Sequence, residues 1–368
     1  MVLLCNALAA RGIFVTVLTL RSDGPLRSSL DPRIRVVKVP GRKLRYAIAF
    51  LRRAIRIEAP AIVVSSEANL NLCTIAAVRS LPRHCRPKLI VREVGSPAVA
   101  QYHDPYLQNR IAYRILRRFY RCADRIITLT EGARRDLAQN FAVPEEKIAV
   151  MLTNAVIPSA VVQWLAQWDG EAGRESDLIV CVGRLSPEKD QQTLLRAMTL
   201  LPAERAWRLA IVGDGPDRAA LESFVQSNGL GHRVLFTGQV VNPFAWLMRA
   251  RVAVCSSLYE GLGNAIIEAL ACGTAVVATG CPYGPREIMR NGIYGVLTPV
   301  GDAAAMAAAI ENALDHVPDR RSLMMRGLNY TPERAAERFL EIVRDLQSQT
   351  AGVKKPLAVA RASSGRPC

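Results

Sequence analysis

Ser257-Leu-Tyr-Glu-Gly-Leu-Gly-Asn-Ala-Ile-Ile-Glu-Ala-Leu-Ala-Cys-Gly-Thr-Ala-Val-Val-Ala-Thr279 is the densest signal in the 368-residue chain. The β-branched run Val252-Ala-Val-Cys-Ser-Ser257 feeds a glycine-bearing loop, and a helix is predicted to start near Gly263 or Asn264. Gly273 closes that helix before the next strand. Flexible glycines beside the free N–H groups of a helix N-terminus, at the carboxyl end of a strand, make an anion site, and phosphate is its natural occupant. Glu260 falls on the loop and Glu268 about one turn into the helix. Carboxylates in such a place suit acceptance from sugar hydroxyls. The plain alternative for Glu268 is that it offsets the helix dipole.

The same alternation runs outward in both directions. IFVTVLTL, IRVVKVP, AIVVSS, KLIVRE, RIITLT and KIAVML read as strands separated by amphipathic segments, and DLIVCVG, RLAIVGDG, RVLFTG, VAVCSS, TAVVATG and YGVLTP repeat the pattern. This is βαβ rhythm and predicts parallel sheets. Strand character lapses over 156–176, where we place a linker between an N-terminal lobe, 1–155, and a C-terminal lobe, 177–331. Thr331 followed by Pro332 predicts a terminal helix over 332–346, and 347–368 carries no helical period and reads as a disordered tail. The chain opens at the end of a helix, with Gly12 as its cap and a strand following. A doubly wound lobe normally begins with a strand, so the first lobe is expected to be incomplete at its start or to begin earlier than Met1.

Bulk properties narrow the class. Half the residues are apolar and 22% are charged, which fits a globular chain of two cores. No run approaches the roughly 18 apolar residues that cross a bilayer. The apolar opening lacks the basic start of a signal peptide, and Arg11 interrupts it. Nine cysteines with no C-x-x-C pair read as reduced structural thiols of a cytoplasmic protein. The formal charge of +16 is uneven: residues 1–155 hold 26 Lys and Arg against 11 Asp and Glu, and the rest hold 22 against 21. Whatever acidic surface or substrate the protein meets, the first lobe meets it.

Two further strand-to-turn units precede the opening stretch. Val180-Cys-Val-Gly183-Arg184-Leu-Ser-Pro-Glu-Lys189-Asp190 sets two cations at a strand end, where they suit a diphosphate leaving group. Two solvated loop cations are the alternative. Ile211-Val-Gly213-Asp214-Gly215-Pro216 repeats the design and is by itself an ordinary βα turn.

The ordered set VGRLSPEKD, IVGDGP, VLFTG, the E-x7-E pair of SLYEGLGNAIIEALACGTAVV, and CPYGPREI with NGIYGVLTP resembles the family 4 retaining glycosyltransferases. The resemblance is close over 178–300 and looser over the whole chain. It implies the GT-B architecture: two Rossmann-like α/β lobes with parallel sheets, the donor cleft between them, and no metal or other cofactor. Position by position it implies that Arg184 and Lys189 bind the donor diphosphate, that Glu268 binds the ribose, and that Glu260 lies near the donor sugar. Gly183, Gly213, Gly215, Leu262, Gly263 and Asn264 would line the donor, and Thr237, Gly238 and Val240 would lie beside the nucleobase. The Gly-Pro-Arg-Glu form of the fifth motif resembles members that use UDP-hexosamines or UDP-galactose for bacterial surface glycans. Members also carry a first-lobe histidine at a strand end; here KLIVREVGS offers Arg92 and Glu93, and His103 is the remaining candidate.

The basic first lobe has a pattern of its own. Arg110, Arg114, Arg117, Arg118 and Arg121 fall in one stripe of a helix predicted over Pro105–Tyr120, beside Leu107, Ile111, Ala112, Ile115, Leu116 and Phe119. Arg42, Arg45, Arg52, Arg53 and Arg56 form a second stripe against Leu44, Ile48, Leu51 and Ile55. Such pairs suit a helix on an anionic membrane or one gripping a lipid pyrophosphate; a core-facing helix with a solvated basic back is the other reading. No nucleic-acid partner is expected, because neither stripe has the aromatic interleaving of an RNA or DNA reader.

Together these readings predict transfer of a hexosyl or N-acetylhexosaminyl group from a UDP-sugar to a lipid-linked or surface-polysaccharide acceptor at the inner face of the cytoplasmic membrane. Retention implies front-face attack or double displacement, and no residue stands out as a covalent nucleophile. A nucleotide-sugar-binding remnant disabled at its N-terminus, and a basic nucleic-acid-binding protein, are the competing readings.

Overall fold

A computed structural model describes residues 1–19, 26–38, 44–95, 97–103, 107–168, 173–316 and 318–351. Contacts divide the chain into two compact units, the first built from Met1–Thr128, Arg134–Met151 and the C-terminal helix from Glu333. The second comprises Leu129–Ala133 and Leu152–Pro332.

In the first unit, β1 (Thr16–Thr19) and β2 (Arg35–Lys38) pair in parallel. A separate parallel sheet runs in the order β3 (Ile62–Ser66), β4 (Lys88–Glu93), β5 (Arg125–Thr128), β6 (Ile148–Val150). Its core joins Leu89, Val91 and Ile126 of the sheet to Leu51 and Ile55, Ile75 and Val78, and Leu116 of the flanking helices, with Leu18 of β1 packed against it. Apolar residues on both faces of these strands are what helices covering both sides of a parallel sheet require.

The second unit has one six-stranded parallel sheet, β12-β11-β10-β7-β8-β9, formed by β7 (Leu178–Val182), β8 (Arg208–Val212), β9 (Val234–Gly238), β10 (Val252–Cys255), β11 (Ala275–Thr279) and β12 (Val296–Thr298). Read from β9, this is the doubly wound order 3-2-1-4-5-6, in which the chain reverses direction beside the first strand. Binding sites in such sheets lie outside the carboxyl ends of the strands at that reversal, here between β7 and β10.

Among the described residues, all twelve strands fall in the runs read from the sequence. Helix boundaries shift in places. The terminal helix starts at Pro332 and continues to Ala351, past the expected end at 346. Residues 352–368 of the expected tail lie outside the described residues. Within the expected linker 156–176, Ser159–Ala166 forms a helix and the amides of Val156 and Ile157 both donate to the Tyr330 carbonyl, so residues 156–168 belong to the second unit. The apolar residues of that helix, with Leu165 buried, account for this. The helix expected over Pro105–Tyr120 spans Leu107–Phe119, and Arg42 and the side chain of Arg45 lie outside the described residues. Among the described residues no helix is long and apolar enough to cross a membrane.

Candidate active site

Three strand ends of the second sheet close on one another through glycine. Gly183, just past β7, donates its amide to the Val212 carbonyl, and Gly213 donates to the Gly238 carbonyl, both at 3.0 Å. Gly213 has φ +146°, and a Cβ there would lie 1.9 Å from the Gly183 carbonyl oxygen. A Cβ on Gly215 would lie 2.1 Å from the Leu185 oxygen. Gly213 and Gly215 are therefore dictated by backbone approach between neighbouring turns. Thr237 sits half-buried at the end of β9 and donates to the Gly238 carbonyl at 2.9 Å; Val240 is half-buried just beyond.

Past Gly183 the chain presents Arg184 to solvent and tucks in Leu185 and Ser186, then turns through a short 3-10 helix, Pro187–Lys189. Asp190 ends it with φ +45° and caps the next helix, Gln191–Thr199, by accepting from the Thr193 amide and hydroxyl. This cap fixes where Lys189 can point.

Lys189 Nζ donates to Glu260 Oε1 at 2.5 Å, and the two side chains are 27% and 10% exposed. Ser257 Oγ donates to the same carboxylate oxygen at 2.7 Å, and the Cys255 thiol lies 3.8 Å from it. Burial alone would lower the Lys189 ammonium, but the Glu260 carboxylate, helped by Cys255 and Glu188, outweighs it and raises the pKa. A largely buried pair costs several kcal/mol of desolvation per ion, so it holds only with good geometry and added hydrogen bonds. Ser257 supplies one of these. The two loops are also tied by backbone: Ser256 Oγ donates to the Lys189 carbonyl at 2.8 Å and the Leu258 amide to the Glu188 carbonyl at 2.9 Å.

Gly263, φ +98°, is the N-cap of the helix Asn264–Ala271, and Gly273, φ +63°, follows its end, as the sequence predicts. Leu262 is buried and Asn264 exposed. Glu268, half-buried one turn into this helix, is pushed up by desolvation to about 7. Glu260 bridges to Tyr283 of the fifth motif, whose φ of +75° is strained for a tyrosine. A Cβ on Gly284 would fall 1.7 Å from the Leu262 oxygen, so this turn also admits only glycine.

The structure thus joins Lys189 to Glu260 directly and sets Gly183, Gly213, Gly215 and Gly238 at adjoining strand ends. Sequence reasoning missed Ser256, Ser257 and Tyr283. The serines were legible as the polar pair ending the β10 run, whereas the backbone of Tyr283 left no sequence signal.

In the first unit, Arg92 and Glu93 at the end of β4 are 2% and 1% exposed. Glu93 accepts from the Gly95 amide at 2.9 Å, Tyr113 OH at 3.1 Å and Tyr120 OH at 2.5 Å, and burial raises its pKa. Burial lowers the Arg92 guanidinium to about 10. Both side chains are turned into the unit, so Glu93 acts as an internal tie. The side chain of His103 lies outside the described residues. Among the described residues no three His, Cys, Asp or Glu side chains gather in a metal-holding group.

Comparison with known proteins agrees with the architecture. The family model described as Glycosyltransferase Family 4 matches residues 1–153, and that described as Glycosyl transferases group 1 matches 176–316. The N-acetylgalactosamine-N,N'-diacetylbacillosaminyl-diphospho-undecaprenol 4-alpha-N-acetylgalactosaminyltransferase of Campylobacter jejuni is 28% identical over 62% of this chain; the match spans only 61% of that relative. Among solved structures, sucrose-phosphate synthase from Thermosynechococcus elongatus superposes with a TM-score of 0.75 at 21% identity, over 94% of this chain and 92% of that one. HepE from Anabaena, solved in complex with UDP, gives 0.71 at 18% identity over 93% and 95%. At these identities the structures speak to fold alone, and the fold is GT-B. With a family model on each half and the strand-end motifs in order within the second, the chain belongs to the family 4 glycosyltransferases.

Proposed function

We propose that the protein transfers a hexosyl or N-acetylhexosaminyl group from a UDP-sugar to a lipid-linked or surface-polysaccharide acceptor, with retained configuration and without a metal, while resting on the inner face of the cytoplasmic membrane. The observation that carries this reading is the largely buried Lys189–Glu260 pair, held where the ends of β7 and β10 meet. Arg184 and Lys189 supply the positive charge that stabilises the departing diphosphate, a role that elsewhere falls to a metal. Glu268 accepts from the ribose hydroxyls, and Glu260 orients the sugar through its own. The donor lies along Gly183, Gly213 and Gly215, with its base beside Thr237, Gly238 and Val240 and its phosphates over Leu262, Gly263 and Asn264.

The bond from the anomeric carbon to the diphosphate oxygen breaks with its electron pair on UDP, and the acceptor oxygen bonds to the same face of that carbon. The acceptor proton leaves on the departing phosphate oxygen. Front-face attack is favoured over double displacement because Glu260 is already committed to Lys189 and Ser257, and a paired, hydrogen-bonded carboxylate is a poor nucleophile. The name of the Campylobacter relative, a transferase acting on a diphospho-undecaprenol-linked glycan, supports the acceptor class. The bound UDP of HepE supports the donor.

Incubating the protein with a panel of UDP- and GDP-sugars and an undecaprenyl-diphosphate glycan, and following nucleotide release, tests this reading. Release from a UDP-sugar supports it. UDP binding without release on any acceptor indicates a binding remnant, and binding of RNA that collapses with salt while UDP is ignored would return the basic nucleic-acid reading.

A further inference from the structure

We propose that the outer face of the 107–119 helix docks on an anionic phospholipid bilayer, and that this face, rather than the 44–58 helix, carries the first unit to the membrane. The proposal rests on the lipid-linked acceptor of the proposed function for its purpose, and on the following geometry for its support.

Leu107, Ile111, Ile115 and Phe119 follow one another at i+4 spacing and are 65%, 46%, 39% and 45% exposed. Four large apolar side chains in line over about three turns of helix surface form a contiguous patch, which soluble proteins seldom leave to water. Tyr102, 57% exposed, joins them across a groove of about 850 Å³ that is also lined by Arg114, Arg117 and Arg121. Arg114, Arg117, Arg118 and Arg121 are exposed and Arg110 half-buried along the adjoining arc, and the segment 107–122 contains no Asp or Glu.

The helix cannot roll to hide this patch. Its opposite side is held by Tyr113, whose hydroxyl donates to Glu93, and by Tyr120 just beyond, which donates to the same carboxylate, with Ala112 and Leu116 buried between them. The 44–58 helix behaves in the opposite way. Ala47, Leu51 and Ile55 are buried in the core, and Arg52, Arg53 and Arg56 form a solvated back.

An apolar line bordered by arginines matches the boundary between acyl chains and phosphate headgroups, with the line entering about 5–10 Å and the guanidiniums on the phosphates. A second copy of the same face would set like charge against like. A nucleic acid would leave the apolar line in water.

The test is co-sedimentation of the full chain with vesicles of phosphatidylcholine and phosphatidylglycerol, and with vesicles of phosphatidylcholine alone. Partitioning onto the mixed vesicles and little onto the neutral ones is expected, weakening as salt rises. Ile115→Ser with Phe119→Ser, both at exposed positions, should lower partitioning about tenfold or more. Gln at 114, 117, 118 and 121 together should lower it about a hundredfold or more and flatten the salt dependence. Gln at 52, 53 and 56 should change it by no more than about threefold. Circular dichroism on each variant checks the fold. Wild-type protein that ignores mixed vesicles, an apolar double variant that partitions like wild type, or an equal loss from the 52, 53 and 56 change overturns the proposal. So does a wild-type dimer that the same apolar changes dissolve. UDP binding on the same samples is read separately: vesicle binding without UDP binding sinks the donor reading and leaves the docking surface standing.

Discussion

The two sheets of this molecule are built from the same βαβ material and differ at their centres. In the second unit β7, the strand that opens the unit, is hydrogen-bonded on both sides, to β10 and β8, and all six strands form one ladder. In the first unit, among the described residues, β1–β2 and β3–β6 are separate sheets, and Leu18 of β1 reaches the core through side-chain packing. The residues proposed to carry the chemistry follow this difference. Gly183, Arg184 and Lys189 extend from the doubly paired β7, where the backbone is fixed from both edges. The first unit's distinguishing residues are arginines on a helix exterior, a place that asks less of the sheet beneath it.

The sharpest way to break this contrast is to reverse the charges at the centre of the second unit. Arg184→Glu with Lys189→Glu should cut turnover of the UDP-sugar by about a thousandfold or more, since it sets repulsion where the leaving group develops charge. Nucleotide-release kinetics would read this, and vesicle partitioning by the same variant should stay at the wild-type level. If turnover persists, the site does not lie at β7.

Next in size is the cost of a methyl group. Gly213→Ala and Gly284→Ala drive a Cβ onto a carbonyl oxygen and should each cost about 3 kcal/mol or more in urea denaturation followed through the second unit. Gly12→Ala in the first unit, where φ is +77° but nothing lies within 4 Å, should cost only about 1–2 kcal/mol. Equal costs would mean that the second unit's turns relax freely.

A smaller effect is expected with pH. With the Glu268 pKa pushed up to about 7, donor affinity should rise as pH rises through 7, roughly tenfold between pH 6 and pH 8, and Glu268→Gln should flatten that rise in a calorimetric titration with UDP. The linked stability runs the other way. A raised carboxylate binds its proton more tightly in the folded state, so its contribution is full below the ordinary pKa of 4.5 and is lost as pH climbs towards 7. Glu93, also raised, adds a loss of the same sign in the first unit.

The smallest difference should appear in hydrogen exchange. Amides of Val17 to Thr19, in a two-stranded pair, should exchange severalfold faster than those of Val180 to Val182, paired on one or both sides in the long sheet. Equal protection would show that side-chain packing fixes β1 as firmly as a ladder does.

Strand positions and the order of the donor motifs were readable because period-two apolar runs and glycine turns are local signals. The basic helices show where local signals end. Leu107, Ile111, Ala112, Ile115, Leu116 and Phe119 read as one apolar face, yet only Ala112 and Leu116 of these are buried. The decision was made elsewhere: a buried carboxylate on β4 needs two tyrosine hydroxyls, and satisfying it turns the Tyr113 side of the helix inward. Likewise E-x7-E announced Glu260 and Glu268, but not that Lys189, 71 residues earlier, would be paired with the first of them.

The turns at Gly213, Gly215 and Gly284 touch backbone to backbone, which has a practical meaning for redesign. A library meant to retune which nucleotide or sugar is accepted would lose nearly every clone that alters these three, and learn nothing about recognition from the loss. Diversity is better placed at Gln239 and Val241, which are exposed just beyond β9 and whose side chains are not wedged against a neighbouring carbonyl.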